Sequence, residues 1–307
     1  MAQKASKASS STSSVHVDSV SIIGHAQRIP LRVYVPDGIT EALPVILYLH
    51  GGGFVEGNLD WAEVAASTLA RATSAVVVAV GYSLSPRFPF PVPLEDGYLA
   101  ALWTQANARQ YGIDARRMGI AGHDAGGNLA AGISAMARDR KDFTLRAQAL
   151  LAPLLDPSMT RLADIARLHD VDLSASDCAM AYRAYLPDVL QQLHPYVAPL
   201  ESRRLSRLPP TLIVSAAQDV CHIEAETYAS ELIAAGVPTE TTRYAEASHC
   251  SIATHAPALA DVAAFFARRL DASKSAPVPR RPQRPQRPPE SHQSEYPANP
   301  TNLRDPK

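Results

Sequence analysis

A run of three glycines is the first feature of this chain that could support chemistry. The sequence HGGGF, residues 50–54, follows directly on the apolar run VILYLH. Without side chains at Gly51, Gly52 and Gly53, the main chain can come close to a bound molecule and direct its N–H groups to one spot, where an oxyanion could be stabilised. A plain glycine turn is the alternative, but the position directly after a buried strand favours the chemical role.

An acidic residue stands at the centre of the second motif, GHDAGG, residues 122–127. The small residues Gly122 and Gly126, two positions before and two positions after Asp124, are what a sharp turn from a strand into a helix requires. Such a turn lifts the Asp124 side chain out of the sheet. At the N-terminus of the following helix, the helix dipole and free N–H groups favour an anion.

Five stretches of the chain, in the same order, resemble the hormone-sensitive-lipase-like branch of the α/β-hydrolases, the bacterial carboxylesterases. That family has HGGG, a YRLAPE-like stretch followed by FPxxLED, then GDSAGG, a DPLRDE-like acid motif and a late histidine. The corresponding stretches here read HGGGF, YSLSPRFPFPVPLED, GHDAGGNLAA, QDVCHIE and ASHCS. The resemblance covers residues 17–271. It implies the α/β-hydrolase fold with a small helical cap, and a hydrolase of carboxylesterase or lipase type acting on a small ester-like or electrophilic substrate.

The resemblance also assigns roles to individual residues. The backbone N–H groups of Gly52, Gly53 and Ala125 would form the oxyanion hole, supported by the rest of both glycine motifs. Asp219 matches the acid of a catalytic triad and His249 matches its base. This agrees with the need of a histidine base for a carboxylate that fixes its tautomer and orientation.

Both members of this pair have competing interpretations. Asp219 could be a capping residue that precedes a helix. His222 and His255 compete with His249 for the role of base, and the position of His249 directly after the strand-like run TETTRYAE favours it.

The departures from the family pattern concern the chemistry itself. Asp124 occupies the place of the nucleophilic serine, and His123 replaces the aspartate before it. Ser83 and Arg87 replace the arginine and glutamate of the YRLAPE-like stretch, and Cys250 replaces the usual glycine after the late histidine.

An aspartate at this position permits several chemistries. Attack on an ester carbonyl would form an anhydride and expel an alkoxide, a far poorer leaving group than the carboxylate, so we expect that route to be slow. Attack on an electrophilic sp³ carbon gives an alkyl-aspartate ester, which water activated by His249 could hydrolyse. Epoxide hydrolases and haloalkane dehalogenases of the same fold use an aspartate in this way. Asp124 could instead act as a general base on water, or the chain could be a catalytically impaired pseudo-hydrolase that binds a small ligand.

The elements that must hold these residues appear as alternating runs along the chain. Short apolar runs rich in β-branched residues, each followed by a helix-length segment, predict strands at residues 45–50, 75–80, 118–122, 147–153 and 211–217. Such a pattern indicates an α/β fold with a mostly parallel sheet and helices on both faces. Two earlier runs, residues 17–22 and 31–35, predict an antiparallel edge.

Two further segments complete the outline of the fold. Helical spacing is clear in LEDGYLAALWTQANARQYG and in EAETYASELIAAG, where Gly236 closes the helix as a C-cap would. Residues 158–187 are amphipathic and helix-like, although a short crossover would suffice between the strands on either side. We therefore expect an insertion at about 157–200 that caps the ligand crevice.

Composition indicates one folded domain between two tails. The 307 residues suffice for one large α/β domain, which we place at 15–273. Residues 1–14 and the Pro/Arg-rich residues 274–307 predict disordered tails. Prolines repeat every third residue at Pro282, Pro285 and Pro288, which would suit an SH3-like partner, although a simply solvated tail is the more common case.

Charge and cysteine content favour a small-molecule substrate. The net charge of −1 gives no reason to expect a nucleic-acid or membrane partner. With neither a signal-type apolar region nor an apolar run of about twenty residues, a cytoplasmic location is expected.

Cys178, Cys221 and Cys250 show no CxxC or metal-type spacing, so no disulfide scaffold, metal or cofactor is expected. Cys221 and Cys250 are conceivable nucleophiles, but small buried cysteines are commoner. Oligomeric state is open, with a homodimer as one option.

Overall fold

The computed structural model of the chain describes residues 14–38, 40–164, 168 and 171–271. The strands are β1 (Val15–Ile23), β2 (Arg28–Pro36), β3 (Leu43–Leu49), β4 (Val76–Val80), β5 (Ile113–His123), β6 (Leu145–Leu151), β7 (Thr211–Gln218) and β8 (Thr239–Ser248). The α-helices are α1 (Glu63–Thr73), α2 (Val92–Ala106), α3 (Ala125–Arg140), α4 (Ala175–Tyr185), α5 (His222–Ala234) and α6 (Ala256–Arg269). The proline repeat and almost all of the two predicted tails lie outside the described residues.

The strands form one sheet in the order β1-β2-β4-β3-β5-β6-β7-β8. Strand β2 runs antiparallel to both of its neighbours, β1 and β4, and the remaining neighbouring pairs are parallel. The mostly parallel sheet and its antiparallel edge, both predicted from sequence, are confirmed.

The central strand β4 illustrates why the sheet is buried on both faces. Because side chains alternate along a strand, Val76, Val78 and Val80 join the core cluster that contains α2, α3 and α5. Val77 and Ala79 face the opposite way and join the cluster that contains α1 and α6. A continuous apolar run is therefore the correct signature of a strand covered on both sides.

The end of α5 follows its sequence signal. Gly236 has a φ of +79°, and its N–H donates to the carbonyl of Ile233. The N–H of Val237 donates to the carbonyl of Leu232, which completes the Schellman arrangement that a glycine in this position permits. The predicted helix end is confirmed.

The insertion before β7 contains less helix than its amphipathic pattern predicted. Within residues 158–187, α4 is the α-helix that the described residues contain. Its start is set by a capping box, in which Ser174 and Asp177 bond to each other's backbone N–H. Earlier in the segment, the Asp156 carboxylate accepts hydrogen bonds from Ser158, Thr160 and Arg161. These local bonds compete with the backbone bonds of a helix, so amphipathicity alone overestimated its length.

The carboxyl ends of four parallel strands bring the predicted site residues to one edge of the sheet. His50 follows the last residue of β3, and Asp124 follows the last residue of β5. Asp219 and His249 directly follow β7 and β8 in the same way. Ligands of parallel α/β sheets bind at this edge, so the topology itself places the four motifs around one crevice.

Candidate active site

The turn from β5 into α3 holds Asp124 in a backbone conformation that few residues adopt. Its φ is 55° and its ψ is −121°, well outside the regions that ordinary L-residues favour. The turn is held from both sides. The Asp124 N–H donates to the carbonyl of Leu151, and the Asp124 carbonyl accepts from the N–H groups of Asn128 and Leu154. Strain of this kind persists where the surroundings enforce it, and it concentrates at functional sites.

Gly122 is required by the tightness of this turn. A Cβ atom added to it would lie 2.1 Å from the carbonyl oxygen of Gly126. We therefore expect Gly122→Ala to lower the free energy of unfolding in urea by about 3 kcal/mol. Gly112→Ala is the matched control, because Gly112 has a φ of +63° but no neighbour within 4 Å of the added atom. That change should cost about 1 kcal/mol. Equal losses in the two variants would contradict this account of the turn.

The carboxylate of Asp124 lies in the glycine loop. Its Oδ2 atom accepts hydrogen bonds of 2.7 Å from the N–H groups of both Gly52 and Gly53. Its Oδ1 atom lies 3.2 Å from Nε2 of His249. The side chain makes no capping bond to α3, contrary to the expectation that the helix N-terminus would hold the anion. Two N–H groups of the glycine loop hold the charge instead.

His249 is held between two carboxylates. Its Nδ1 atom lies 3.1 Å from Oδ1 of Asp219, and both residues are buried. Asp219 also accepts the N–H of Cys221 at 2.9 Å. Cys221 is the N-cap of α5, so Asp219 precedes this helix without being its capping residue. Nε2 of His123 lies 2.8 Å from the main-chain oxygen of His249 and fixes that segment of backbone.

The paired charges shift the pKa values of these groups in opposite directions. Burial by itself lowers the pKa of His249, but the charges and hydrogen bonds of Asp219 and Asp124 outweigh it and raise that pKa well above 6.5. Burial by itself would raise the pKa of Asp124. Contact with His249, the nearby His123 and the Gly53 N–H reverse the effect and hold the pKa well below its usual range. Both shifts favour a protonated imidazole beside an ionised Asp124 carboxylate.

The remaining predicted residues support the loop and the turn. Burial lowers the pKa of His50 to about 4, so its ring is neutral and stacks on Tyr82 with ring centroids 4.3 Å apart. Its Nδ1 atom lies 2.7 Å from the Gly51 carbonyl oxygen. Ala125 is the first residue of α3 and is fully buried, and Gly126 packs against the main chain at the end of β3.

The two competing histidines lie elsewhere. Nδ1 of His222 lies 2.8 Å from the main-chain oxygen of Asp219, not from its carboxylate. The ring of His255 packs edge-on against Tyr244 at 4.9 Å. Neither is among the described residues that line the cavity over Asp124.

A cavity of about 810 Å³ opens above Asp124 and His249. Residues of the glycine loop and of α4 both line it. Its carboxylate-bearing lining residues are Glu56, Asp60, Asp124, Asp172 and Asp177. Of the residues that the structure describes, no lysine or arginine lines it. Asp60 is paired with Arg32 and Asp124 with His249, which leaves the carboxylates of Glu56, Asp172 and Asp177 to disfavour anionic ligands.

Sequence reasoning missed Asp172, which connects the cap to the loop of His249. Its carboxylate accepts hydrogen bonds from the Ser248 hydroxyl and from the Cys250 N–H, the residues on either side of His249. Asp172 lies in a segment whose amphipathic pattern predicted helix, and such a pattern gives no sign of a contact with the distant loop of His249. His123 was noticed as a departure from the family pattern, but its contact with His249 was not anticipated.

A group with metal-ligand chemistry also overlaps this site. Asp219, Cys221 and His249 each place a potential ligand atom within 4.8 Å of the others. The neighbouring Cys178, together with burial, raises the pKa of the Cys221 thiol well above 9, which opposes the thiolate that a metal would need. His249 would also have to give up its contact with Asp219. These residues therefore fit a histidine–carboxylate pair better than a metal centre.

Asp219→Asn should change both the rate and its pH dependence. We expect neutral His249 to act as the base on water, so turnover should rise with pH as His249 loses its proton, and the charge of Asp219 raises the pKa at which this happens. Without the Asp219 charge that pKa falls, and the rising limb should move to lower pH. The plateau should drop by about 10³-fold, because asparagine favours the wrong tautomer. Asp261→Asn, at an exposed contact with Tyr244, is the control and should leave the profile unchanged. If the rising limb of the pH profile lay at the same pH in the Asp219 variant as in wild type, the assigned role would be contradicted.

The helices differ in length and polarity from membrane spans. In the described parts of the chain, no helix combines the length and apolar character needed to cross a bilayer.

A family model and the most similar curated proteins agree on the family of this chain. A family model described as alpha/beta hydrolase fold matches residues 46–253. Esterase LipI of Mycobacterium tuberculosis is 36% identical over 230 residues, which are 74% of this chain and 72% of that protein. An arylesterase of Saccharolobus solfataricus is 31% identical over 221 residues, 70% of each chain.

Solved structures give the same result. A hyperthermophilic esterase from the archaeon Pyrobaculum calidifontis superposes with a TM-score of 0.78 at 33% identity, over 83% of this chain and 87% of that one. A thermostable carboxylesterase cloned from a metagenomic library superposes with a TM-score of 0.80 at 30% identity, over 84% and 91%. The similarity extends over the greater part of each chain.

Proposed function

Because this chain belongs to the α/β-hydrolase fold family, in its hormone-sensitive-lipase-like carboxylesterase branch, and is a hydrolase, we propose that it hydrolyses small, neutral electrophiles through an alkyl-aspartate ester at Asp124. One observation carries the proposal. The Asp124 carboxylate has one oxygen on the Gly52 and Gly53 N–H groups and the other beside His249.

This arrangement fits both steps of such a reaction. In the first step Oδ1 of Asp124 attacks an sp³ carbon, and the carbon–oxygen bond of an epoxide or the carbon–halogen bond of a haloalkane breaks, while Oδ2 stays in the glycine loop. The epoxide oxygen remains on the substrate and takes a proton from water, whereas a halide leaves the cavity to solvent. The product is an ester whose carbonyl oxygen is Oδ2. In the second step water gives a proton to His249 and attacks the carboxyl carbon of this ester, and the charge that develops on Oδ2 meets two N–H donors already in place. When the intermediate collapses, the bond between this carbon and Oδ1 breaks. Oδ1 leaves in the alcohol product with the proton from His249, and the new carboxyl group of Asp124 loses its proton to solvent.

The same arrangement disfavours direct ester hydrolysis. An ester substrate would have to bring its carbonyl oxygen to the N–H groups of Gly52 and Gly53, which the charged Oδ2 of Asp124 occupies at 2.7 Å. Displacing a buried carboxylate from two charge-assisted hydrogen bonds is costly. The nucleophile and the substrate therefore compete for the same donors.

The pKa of His249 would change between the two steps. Asp219 and Asp124 both raise it while Asp124 is ionised. Alkylation removes the negative charge of Asp124, so the pKa of His249 falls at the point where a neutral imidazole is needed. His249, oriented by Asp219, can then take a proton from the attacking water.

The charge of the cavity limits the substrate class. With carboxylates and no described lysine or arginine in its lining, the cavity should exclude phosphate and sulfate esters. Its volume of about 810 Å³ suits a small organic molecule. Neutral epoxides and haloalkanes meet both conditions.

A substrate panel tests this proposal. Wild-type protein should turn over at least one neutral epoxide or haloalkane about 10²-fold faster than Asp124→Asn. A short-chain aryl ester should be a poor substrate for both proteins. If wild type is inert towards every epoxide and haloalkane, the covalent proposal is wrong.

A further inference from the structure

Two cysteines meet beneath the cavity, although 43 positions separate them in sequence. Cys178 lies in the first turns of α4, and Cys221 directly precedes α5. Their Sγ atoms are 3.8 Å apart, and the two residues are 1% and 0% exposed. The pair therefore joins the cap to the segment that carries Asp219, and neither thiol takes part in the proposed hydrolysis.

The two cysteines differ in their position relative to the cavity. Cys178 is among the residues that line the cavity over Asp124, so a small molecule in the cavity reaches this residue before Cys221. Cys221 is not among the described lining residues and lies behind Cys178. Contact with Cys178, burial and the nearby Glu224 and Asp219 raise the pKa of the Cys221 thiol, which therefore stays protonated until its neighbour changes. Cys178 is therefore placed to react with an oxidant, and Cys221 is placed to react with the oxidised Cys178.

We propose that Cys178 and Cys221 are a redox modification site, at which a small peroxide oxidises Cys178 and Cys221 then closes a reversible disulfide between cap and core. The sulfurs need to approach from 3.8 Å to about 2 Å, a movement within reach of side-chain rotation. The site takes hydrogen peroxide or a small organic hydroperoxide as co-substrate.

The chemistry balances in two steps. The Cys178 thiolate attacks one peroxide oxygen, so an S–O bond forms, the O–O bond breaks and hydroxide leaves to become water. The sulfur of Cys221 then attacks the sulfenic sulfur of Cys178, losing its proton as the S–S bond forms and the S–O bond breaks, and a second water leaves. Two thiols are oxidised, and one peroxide is reduced to two waters.

The disulfide would fasten α4 to the Asp219 segment. The α4 wall of the cavity contains Cys178, Ala181 and Ala184, and Asp219 accepts the N–H of Cys221. A bond between the two cysteines also closes a long loop, which lowers the entropy of the unfolded chain. The oxidised protein should therefore have a higher melting temperature, by about 5 °C, than the reduced protein.

The experiment uses the full chain with Cys250→Ser, which removes the exposed third thiol. After treatment with stoichiometric hydrogen peroxide, the folded protein should be two hydrogens lighter and yield a Cys178–Cys221 cross-linked peptide. The rise in melting temperature should disappear on reduction with dithiothreitol. In the same background, Cys221→Ser should accumulate a Cys178 sulfenic acid that dimedone traps, and Cys178→Ser should leave Cys221 unoxidised.

Three results would overturn the proposal. Both thiols could remain free in the folded protein, Cys178 could proceed to sulfinic acid although Cys221 is present, or the disulfide could form only in urea. Alanine variants at both positions, checked for native circular dichroism, replace any serine variant that does not fold. Because the readouts are mass and melting temperature, they decide the matter even if the proposed hydrolysis fails.

Discussion

Asp124→Ser is expected to gain short-chain aryl-ester hydrolysis, with kcat/KM about 10³-fold or more above that of wild type. A serine at the turn would place a hydroxyl beside Nε2 of His249, the atom that now lies 3.2 Å from the Asp124 carboxylate. The shorter side chain would also free the N–H groups of Gly52 and Gly53 for the oxyanion of the substrate. One substitution would thus supply a nucleophile and vacate the oxyanion hole.

The matched control is Asp124→Asn, which removes the charge without supplying a nucleophile. It should not gain ester hydrolysis. Both variants should keep the wild-type circular dichroism spectrum, because the main-chain bonds of residue 124 hold the turn. If the serine variant is no faster on esters than the asparagine variant, then His249 and the glycine loop do not form a working site.

His249→Gln is expected to stop the reaction at the alkyl-aspartate ester. Attack by Asp124 on an sp³ carbon needs no base, whereas hydrolysis of the resulting ester needs a base on water. Steady-state turnover should fall by about 10⁴-fold. Intact-mass spectrometry should show one alkyl group per chain, attached to the peptide that contains Asp124.

His255→Gln is the control for this experiment, because His255 packs against Tyr244 and lies outside the described cavity lining. It should turn over substrate at the wild-type rate without accumulating an adduct. Loss of turnover in His249→Gln with no adduct would indicate a general-base mechanism, in which water attacks the substrate without a covalent intermediate.

The fold was predictable because its signals are local and redundant. The apolar run at β4 is continuous because the strand is buried on both faces, and the alternation of short strands with helices leaves few topologies open. The motif residues could be placed together because each follows a parallel strand, and these strands end at one edge of the sheet.

Side-chain directions could not be predicted in the same way. The Asp124 carboxylate could bind either the N-terminus of α3 or the glycine loop, and nothing in the sequence distinguishes the two. The outcome depends on the distance between the glycine loop after β3 and the turn after β5, which the sheet determines. The contact between Cys178 and Cys221 likewise arises from packing between segments distant in sequence. The insertion is amphipathic in sequence, which predicted more helix than α4 contains, and this pattern gave no sign of the contact that Asp172 makes with Ser248.

Single turnover in ¹⁸O-labelled water tests the central claim most directly. Protein in excess over a neutral epoxide or haloalkane substrate should incorporate ¹⁸O into the peptide that contains Asp124, because water attacks the ester carbon of the enzyme and one labelled oxygen stays in the carboxylate. The alcohol product should carry unlabelled oxygen from the enzyme in that first turnover. Label in the product and none in the Asp124 peptide would contradict the covalent mechanism.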